Sequence, residues 1–237
     1  MSLNELFSLA GSKPKLITVY TSGTGTHIPL ENNSRCFIRR QGAGGGGGAA
    51  LSGSGAGGGA GAQVDSFERV PITGITYAIG AKGVGASDLA GTNGSATRVG
   101  NISAPGGKGG GRSGVPGAIG GSGAYLTSGD TATGNFGSLN GVSGGAGGYA
   151  GATAADNKGW APGFTKPATT GSNGQSTGAD NAGGGGDSAM GGKGGNGVAN
   201  GPGAAAGYGA GGGGSFGTGA IGGDGGEGYA EIWDYGA

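Results

Sequence analysis

The sequence predicts a mainly irregular and β-structured protein, in which short strands at the termini flank a sandwich of packed left-handed, three-residue helices of the polyglycine type II kind, with almost no α-helix. Three observations lead to that expectation. Glycine supplies 71 of the 237 residues, and many of these glycines are spaced by three. Runs rich in β-branched and aromatic residues stand on either side of the glycine-rich stretch. Only 33% of the chain is hydrophobic, which puts an ordinary apolar core out of reach. Glycine and proline content alone would class the chain as low-complexity and disordered. The balance of 13 basic against 13 acidic residues and the apolar segments at both ends argue for order instead.

Residues 2–10 read as a short amphipathic helix. Ser2 and Glu5 make a capping box, Leu3, Leu6, Phe7 and Ala10 share a face, and Gly11 ends it. A nine-residue helix does not stand alone, so its apolar face must dock either on this chain or on a carrier protein. In the second case Leu3, Leu6 and Phe7 form an attachment peptide. Two β pairs are expected next. The first joins Leu16–Thr21 to Arg35–Arg40 across a polar turn that holds His27, and the second joins Ser66–Val70 to Ile75–Gly80 across Pro71–Gly74. The closing strand, Tyr229–Tyr235, places Tyr229, Glu231, Trp233 and Tyr235 on one face and Ala230, Ile232 and Asp234 on the other.

The glycine period lies between these strands. Gly111, Gly114, Gly117, Gly120 and Gly123 recur every third residue, as do Gly219, Gly222, Gly225 and Gly228; shorter sets are Gly141, Gly144, Gly147 and Gly191, Gly194, Gly197. A period of three belongs to neither α-helix nor strand. It fits an extended helix with three residues per turn and no internal hydrogen bonds, which must find its partners side by side. Inward-facing glycine lets neighbouring rods approach until backbone bonds backbone, so main-chain hydrogen bonds stand in for the missing core. Collagen shares the period but needs an unbroken repeat rich in proline, and here the register breaks repeatedly with only 8 prolines.

Several chemistries find no footing. Scattered Lys and Arg give no basic face for nucleic acid. No stretch approaches the roughly 20 apolar residues of a membrane span, and the start lacks the basic n-region of an export signal, so synthesis in a cytoplasm without export is expected. One cysteine, Cys36, and one histidine, His27, provide neither a disulfide framework nor a self-contained zinc site. Cys36 is expected to be buried and His27 to lie in an exposed polar turn. Gly107-Lys108 and Gly192-Lys193 lack the Ser or Thr and the leading strand of a phosphate loop. No two of the acidic residues are set apart as an acid–base pair. The chain therefore reads as non-enzymatic, with no metal and no cofactor.

The order of segments resembles a known family. ITVYTSGTGTHIPLENNSRCFIRRQGAGGGGGA, the later VPITGITYAIGAKGVG, the GAAAGYGAGGGG string and the closing GGDGGEGYAEIWDY are together similar to the glycine-rich domain of bacteriophage tail fibres, over most of residues 16–237. The resemblance implies an adhesin at a fibre tip, with a polyglycine-helix sandwich and variable loops that contact a receptor. It also implies a location in the virion after synthesis in the host cytoplasm. The chain departs from the family by lacking a large N-terminal attachment domain, which leaves open whether it caps another fibre as a monomer or forms an oligomer such as a homotrimer.

Three regions follow: an attachment segment (1–15), strand pairs with the first glycine run (16–80), and a glycine-helix region with loops and the closing strand (81–237). Recognition is expected in the non-periodic segments, because loops on a rigid scaffold carry binding residues. Residues 125–139 and 154–170 interrupt the period and carry Tyr125, Leu126, Phe136, Trp160 and Phe164, aromatic and apolar anchors for a receptor or, equally, caps on the rod ends. Residues 88–103 are a more polar third candidate. The expected partners are a bacterial surface receptor (an outer-membrane protein, pilus or polysaccharide) and other tail proteins, with no nucleic acid and no membrane insertion. The alternative is a purely structural fibre or baseplate component that binds only virion proteins.

Overall fold

Strands form where β-branched and aromatic residues alternate between two faces, and in the computed structural model these strands organise the glycine-rich segments around them. The structure describes residues 13–113, 138–142, 175–176, 181–188 and 191–237. The longer strands are β1 (Leu16–Tyr20), β2 (Thr24–His27), β3 (Ser34–Gln41), β6 (Gln63–Val70), β7 (Ile75–Ala78), β8 (Thr97–Val99), β9 (Ile102–Ala104), β11 (Ser138–Val142) and β16 (Tyr229–Asp234). Two-residue strands are β4 (Ala49–Ala50), β5 (Ser54–Gly55), β10 (Arg112–Ser113), β12 (Gln175–Ser176), β13 (Asn181–Ala182), β14 (Val198–Ala199) and β15 (Ser215–Phe216). The described residues are mainly β and contain no helix. Strands recur along the whole chain, so the expectation that they lie at the termini needs correcting. The helix expected over residues 2–10 lies outside the described residues.

Neither expected hairpin forms. The first sheet has the order β1-β16-β3-β6-β11, so the C-terminal strand separates β1 from β3. The reason lies in the connection: Thr24–His27, read as turn, is itself a strand that leaves for a second sheet, β2-β7-β8-β9. The chain turns at Pro71–Gly74, yet β7 follows β2 into that second sheet while β6 stays beside β3. Alternation marks a strand and its buried face but carries no information about its partner.

The two sheets enclose a small apolar core. Cys36, Ile38, Val70, Val99, Ala230 and Ile232 are buried there, with Tyr20, Ile75, Tyr77 and Ile79 packed against them. Strand β16 buries Ala230, Ile232 and Asp234 on the face that alternation assigned. Arg40 is also fully buried; its guanidinium donates to the Val99 carbonyl at 3.0 Å and to Ser66 Oγ at 2.7 Å and pairs with Glu68.

Beyond the sheets, backbone bonds backbone directly. Residues 42–49 run from β3 to β4 with amides pointing in three directions. Gly42, Gly45 and Gly48 donate to Ala62, Gly59 and Ala56; Ala43, Gly46 and Ala49 donate to Ser95, Thr92 and Leu89; Gly44 and Gly47 donate to Gly226 and Gly223. The carbonyls keep the same rhythm. Ala43 and Gly46 accept from Gly107 and Gly110, Gly44 and Gly47 from Gly83 and Ala86, and Gly45 and Gly48 from Gly212 and Ser215. Every third residue thus meets the same neighbour, and the segment is enclosed by three antiparallel and three parallel neighbours.

This enclosure explains the local composition. A Cβ added at any of Gly44–Gly48 would lie 1.7–2.3 Å from a neighbouring carbonyl group, so the central segment admits no side chain. Segments at the edge need glycine only on their inner side: in residues 80–86, Gly80 and Gly83 are buried while Ala81, Lys82 and Val84 are exposed. Unbroken glycine runs therefore mark interior segments, and spaced glycines mark outer ones. Residues 88–103, read as a loop candidate, instead supply the neighbouring segment 89–95 and strand β8.

Candidate functional site

The glycine segments carry the chain from the two large sheets to an opposite end, where their turns gather. At that end β10-β5-β13-β12 and β14-β15-β4 form two small sheets. The segments are rigid, hydrogen-bonded on all sides and nearly bare of side chains, so chemistry is concentrated where they turn.

Three of these turns present large aliphatic side chains to solvent: Leu51 at 55%, Leu89 at 64% and Ile221 at 48% exposure. The turns are tied together. Asp88 Oδ1 accepts from the Leu51 amide at 3.1 Å and from Arg112 Nη2 at 2.8 Å, the Ala49 amide donates to the Leu89 carbonyl, and the Gly222 amide donates to the Ala86 carbonyl. The Leu51 amide, and after it Arg112, hold the Asp88 carboxyl below its usual range. Asp88 adopts a φ of 50° and Asn200, on an adjoining turn, 53°, left-handed geometry that short Asp and Asn side chains tolerate. The Thr218 amide donates to Asn200 Oδ1 at 3.3 Å. The result is a set of fixed turns that hold aliphatic side chains beside a surface ion pair. That arrangement suits contact with another surface.

At the sheet end a second set of aliphatics is exposed on the turns that follow β2 and β6: Ile28 at 55%, Leu30 at 49% and Ile72 at 50%. His27, expected in an exposed turn, is 3% exposed on β2, because β2 joins the second sheet and turns the ring inward. Its Nδ1 lies 3.0 Å from the Tyr20 hydroxyl, and Tyr20 stacks on Tyr77 with centroids 3.9 Å apart. Burial pulls the His27 pKa down, opposed by the nearby Asp234. Cys36 is buried as expected, and burial, reinforced by Asp234 and Glu68, pushes its thiol up to about 12. Among the described residues no three His, Cys, Asp or Glu side chains gather as a metal site.

The expected receptor-binding residues Tyr125, Leu126, Phe136, Trp160 and Phe164, and the attachment residues Leu3, Leu6 and Phe7, lie outside the described residues. The exposed Leu51, Leu89 and Ile221 were not foreseen. Their signal in the sequence is a lone large aliphatic in a turn of small residues, as in AALSGS, SDLAG and GAIGG. No protein-family model matches the chain, and comparison with curated proteins gave no match.

Proposed function

We propose that this chain is a bacteriophage receptor-binding protein, a non-enzymatic tail-fibre adhesin that recognises the bacterial surface through turns and loops on a sandwich of polyglycine type II helices. The observation that carries the reading is the pairing of a backbone-bonded glycine body with exposed aliphatics on the turns at its end. Residues 42–49 repeat their partners every third residue, and Gly42 and Gly44–Gly48 keep out of the positive-φ region, both in keeping with left-handed three-residue helices. Such a body, nearly bare of side chains inside, displays what its turns carry. Leu51, Leu89 and Ile221 then belong to the face toward the host. The opposite end, with Ile28, Leu30 and Ile72, faces the carrier protein in the virion.

Adsorption of the purified, fluorescently tagged protein to a panel of bacterial strains tests this. Strain-selective binding is expected, lost in the double variant Leu51→Asp/Leu89→Asp or in Trp160→Ala or Phe136→Ala, with no loss of thermal stability. Binding to no strain, together with association with isolated tail proteins, would replace the adhesin by a purely structural virion component.

A further inference from the structure

Away from the turns at the far end, an aromatic side chain stands in a groove for which the adhesin reading has no use. Tyr208 occupies the turn between the glycine segments 201–207 and 209–215, next to Gly209 with its φ of 69°. The residue is 51% exposed, and its ring is braced edge-on by Tyr229 of β16, with centroids 5.7 Å apart and planes at 68°. A cleft of about 480 Å³ opens on one side, lined among others by Thr21, Lys193, Tyr229 and Glu231. A second, of about 240 Å³, is lined by Lys82, Asp224 and Glu227 among others, and the two share Gly207 and Tyr208.

The polar groups of both clefts are held in place. Lys82 Nζ is 2.9 Å from Asp224, whose other oxygen accepts from the Gly85 amide at 3.0 Å. Glu227 accepts from the Lys82 amide at 3.0 Å. Lys193 Nζ is 3.5 Å from the buried Asp187, and Glu231 is 3.9 Å from Arg39. Each cleft thus carries both a donor and an acceptor, Lys193 with Glu231 in one and Lys82 with Asp224 and Glu227 in the other, with signs nearly balanced.

That combination selects among ligands. An anionic polymer would face three carboxylates against two ammonium groups. An aliphatic chain would strip water from five ionised groups with nothing to offer in return. A sugar ring has an apolar C–H face to lie on Tyr208 and a rim of hydroxyls that donate to carboxylates and accept from ammonium groups. Two clefts flanking one ring suit consecutive units of a chain. We propose that this groove binds a neutral saccharide chain, with Tyr208 as its stacking platform and Lys193, Glu231, Lys82 and Glu227 contacting hydroxyls of the units on either side. The site is separate from the far-end turns and stands whether or not those turns contact a host.

Saturation-transfer difference NMR and calorimetry on the intact chain would test this, with maltohexaose, cellohexaose, hexa-N-acetylchitohexaose and mannohexaose as probes and hexagalacturonate as the anionic comparator. At least one neutral hexasaccharide should bind. Its affinity should fall roughly tenfold in Tyr208→Ala, the worth of one stacked ring, and change little in Tyr208→Phe, which keeps the platform. The exposed position of Tyr208 should leave the melting temperature of both variants unchanged, and Leu51→Asp/Leu89→Asp should bind the saccharide normally even where it no longer adsorbs to cells. Binding of none of the neutral probes, preference for hexagalacturonate, or equal affinity in Tyr208→Ala would overturn the proposal.

Discussion

Replacing Gly45 by alanine adds one methyl group and should be among the most damaging small changes available to this protein. A Cβ built at Gly45 falls 2.1 Å from the Lys108 carbonyl oxygen and 2.4 Å from its carbon. Both atoms belong to backbone, so relief requires segments 42–49 and 105–111 to part by about 1.3 Å or more, the gap to ordinary contact. That shift strains three hydrogen bonds: Gly107 to Ala43 at 2.9 Å, Gly110 to Gly46 at 2.8 Å, and Gly59 to Lys108 at 2.8 Å. Each contributes about 1 kcal/mol net, and a buried group left without its partner costs about 1–3 kcal/mol more. With overpacking itself at about 1–3 kcal/mol, a loss near 4 kcal/mol is expected, equivalent to a fall in Tm of roughly 8–16 °C. Gly201→Ala is the control. Its added methyl meets only Val198 Cγ1, at 3.7 Å, and its φ is not positive, so stability should be unchanged or slightly raised. Urea unfolding followed by circular dichroism measures both. If Gly45→Ala unfolds within about 1 kcal/mol of Gly201→Ala, the close backbone packing that the reasoning assumes does not exist.

Three further outcomes follow from the sheet end. Arg40→Met should lower stability by about 3 kcal/mol in urea unfolding, because it leaves Glu68 without its buried cation, and Arg40→Met/Glu68→Met should recover part of the loss; equal stability of Arg40→Met and wild type would refute this. His27 is neutral in its buried site, with a folded pKa below the ordinary 6.5, so the unfolded chain takes up the proton first. Its contribution is therefore present above about pH 6.5 and lost as pH falls through the lowered folded value, and the wild-type advantage over His27→Gln should shrink between pH 7.5 and 5; a constant difference would count against it. Cys36, with its thiol pushed up to about 12, should resist an aromatic disulfide reagent at pH 8 while the protein is folded and react fully in denaturant.

The sequence by itself determined where the strands richest in β-branched and aromatic residues form and, for the closing one, which face it buries. Leu16–Tyr20, Ser34–Gln41 and Tyr229–Asp234 form where β-branched and aromatic residues cluster, and Ala230, Ile232 and Asp234 face inward as their alternation requires. The strain of a side chain between bonded backbones is equally local in origin, so glycine content and the period of three already implied backbone-to-backbone packing. Alanine enters the interior segments mainly near their ends, as at Ala43, Ala49, Ala56, Ala62 and Ala210.

Partnership was decided only by the tertiary structure. Strand β16 lies about 190 residues from β3 and about 210 from β1, and no local pattern distinguishes its seat between them from a hairpin of its neighbours. The same holds for His27, whose polar, threonine-rich surroundings read as an exposed turn until β7 pairs with β2 and draws the ring inside. Tyr208 and Tyr229, and the lysines and carboxylates around them, come from four separate stretches of chain. Hydrogen bonds in a glycine lattice are set by backbone alone, so the sequence records that such segments pack but carries few side-chain marks of which segment meets which.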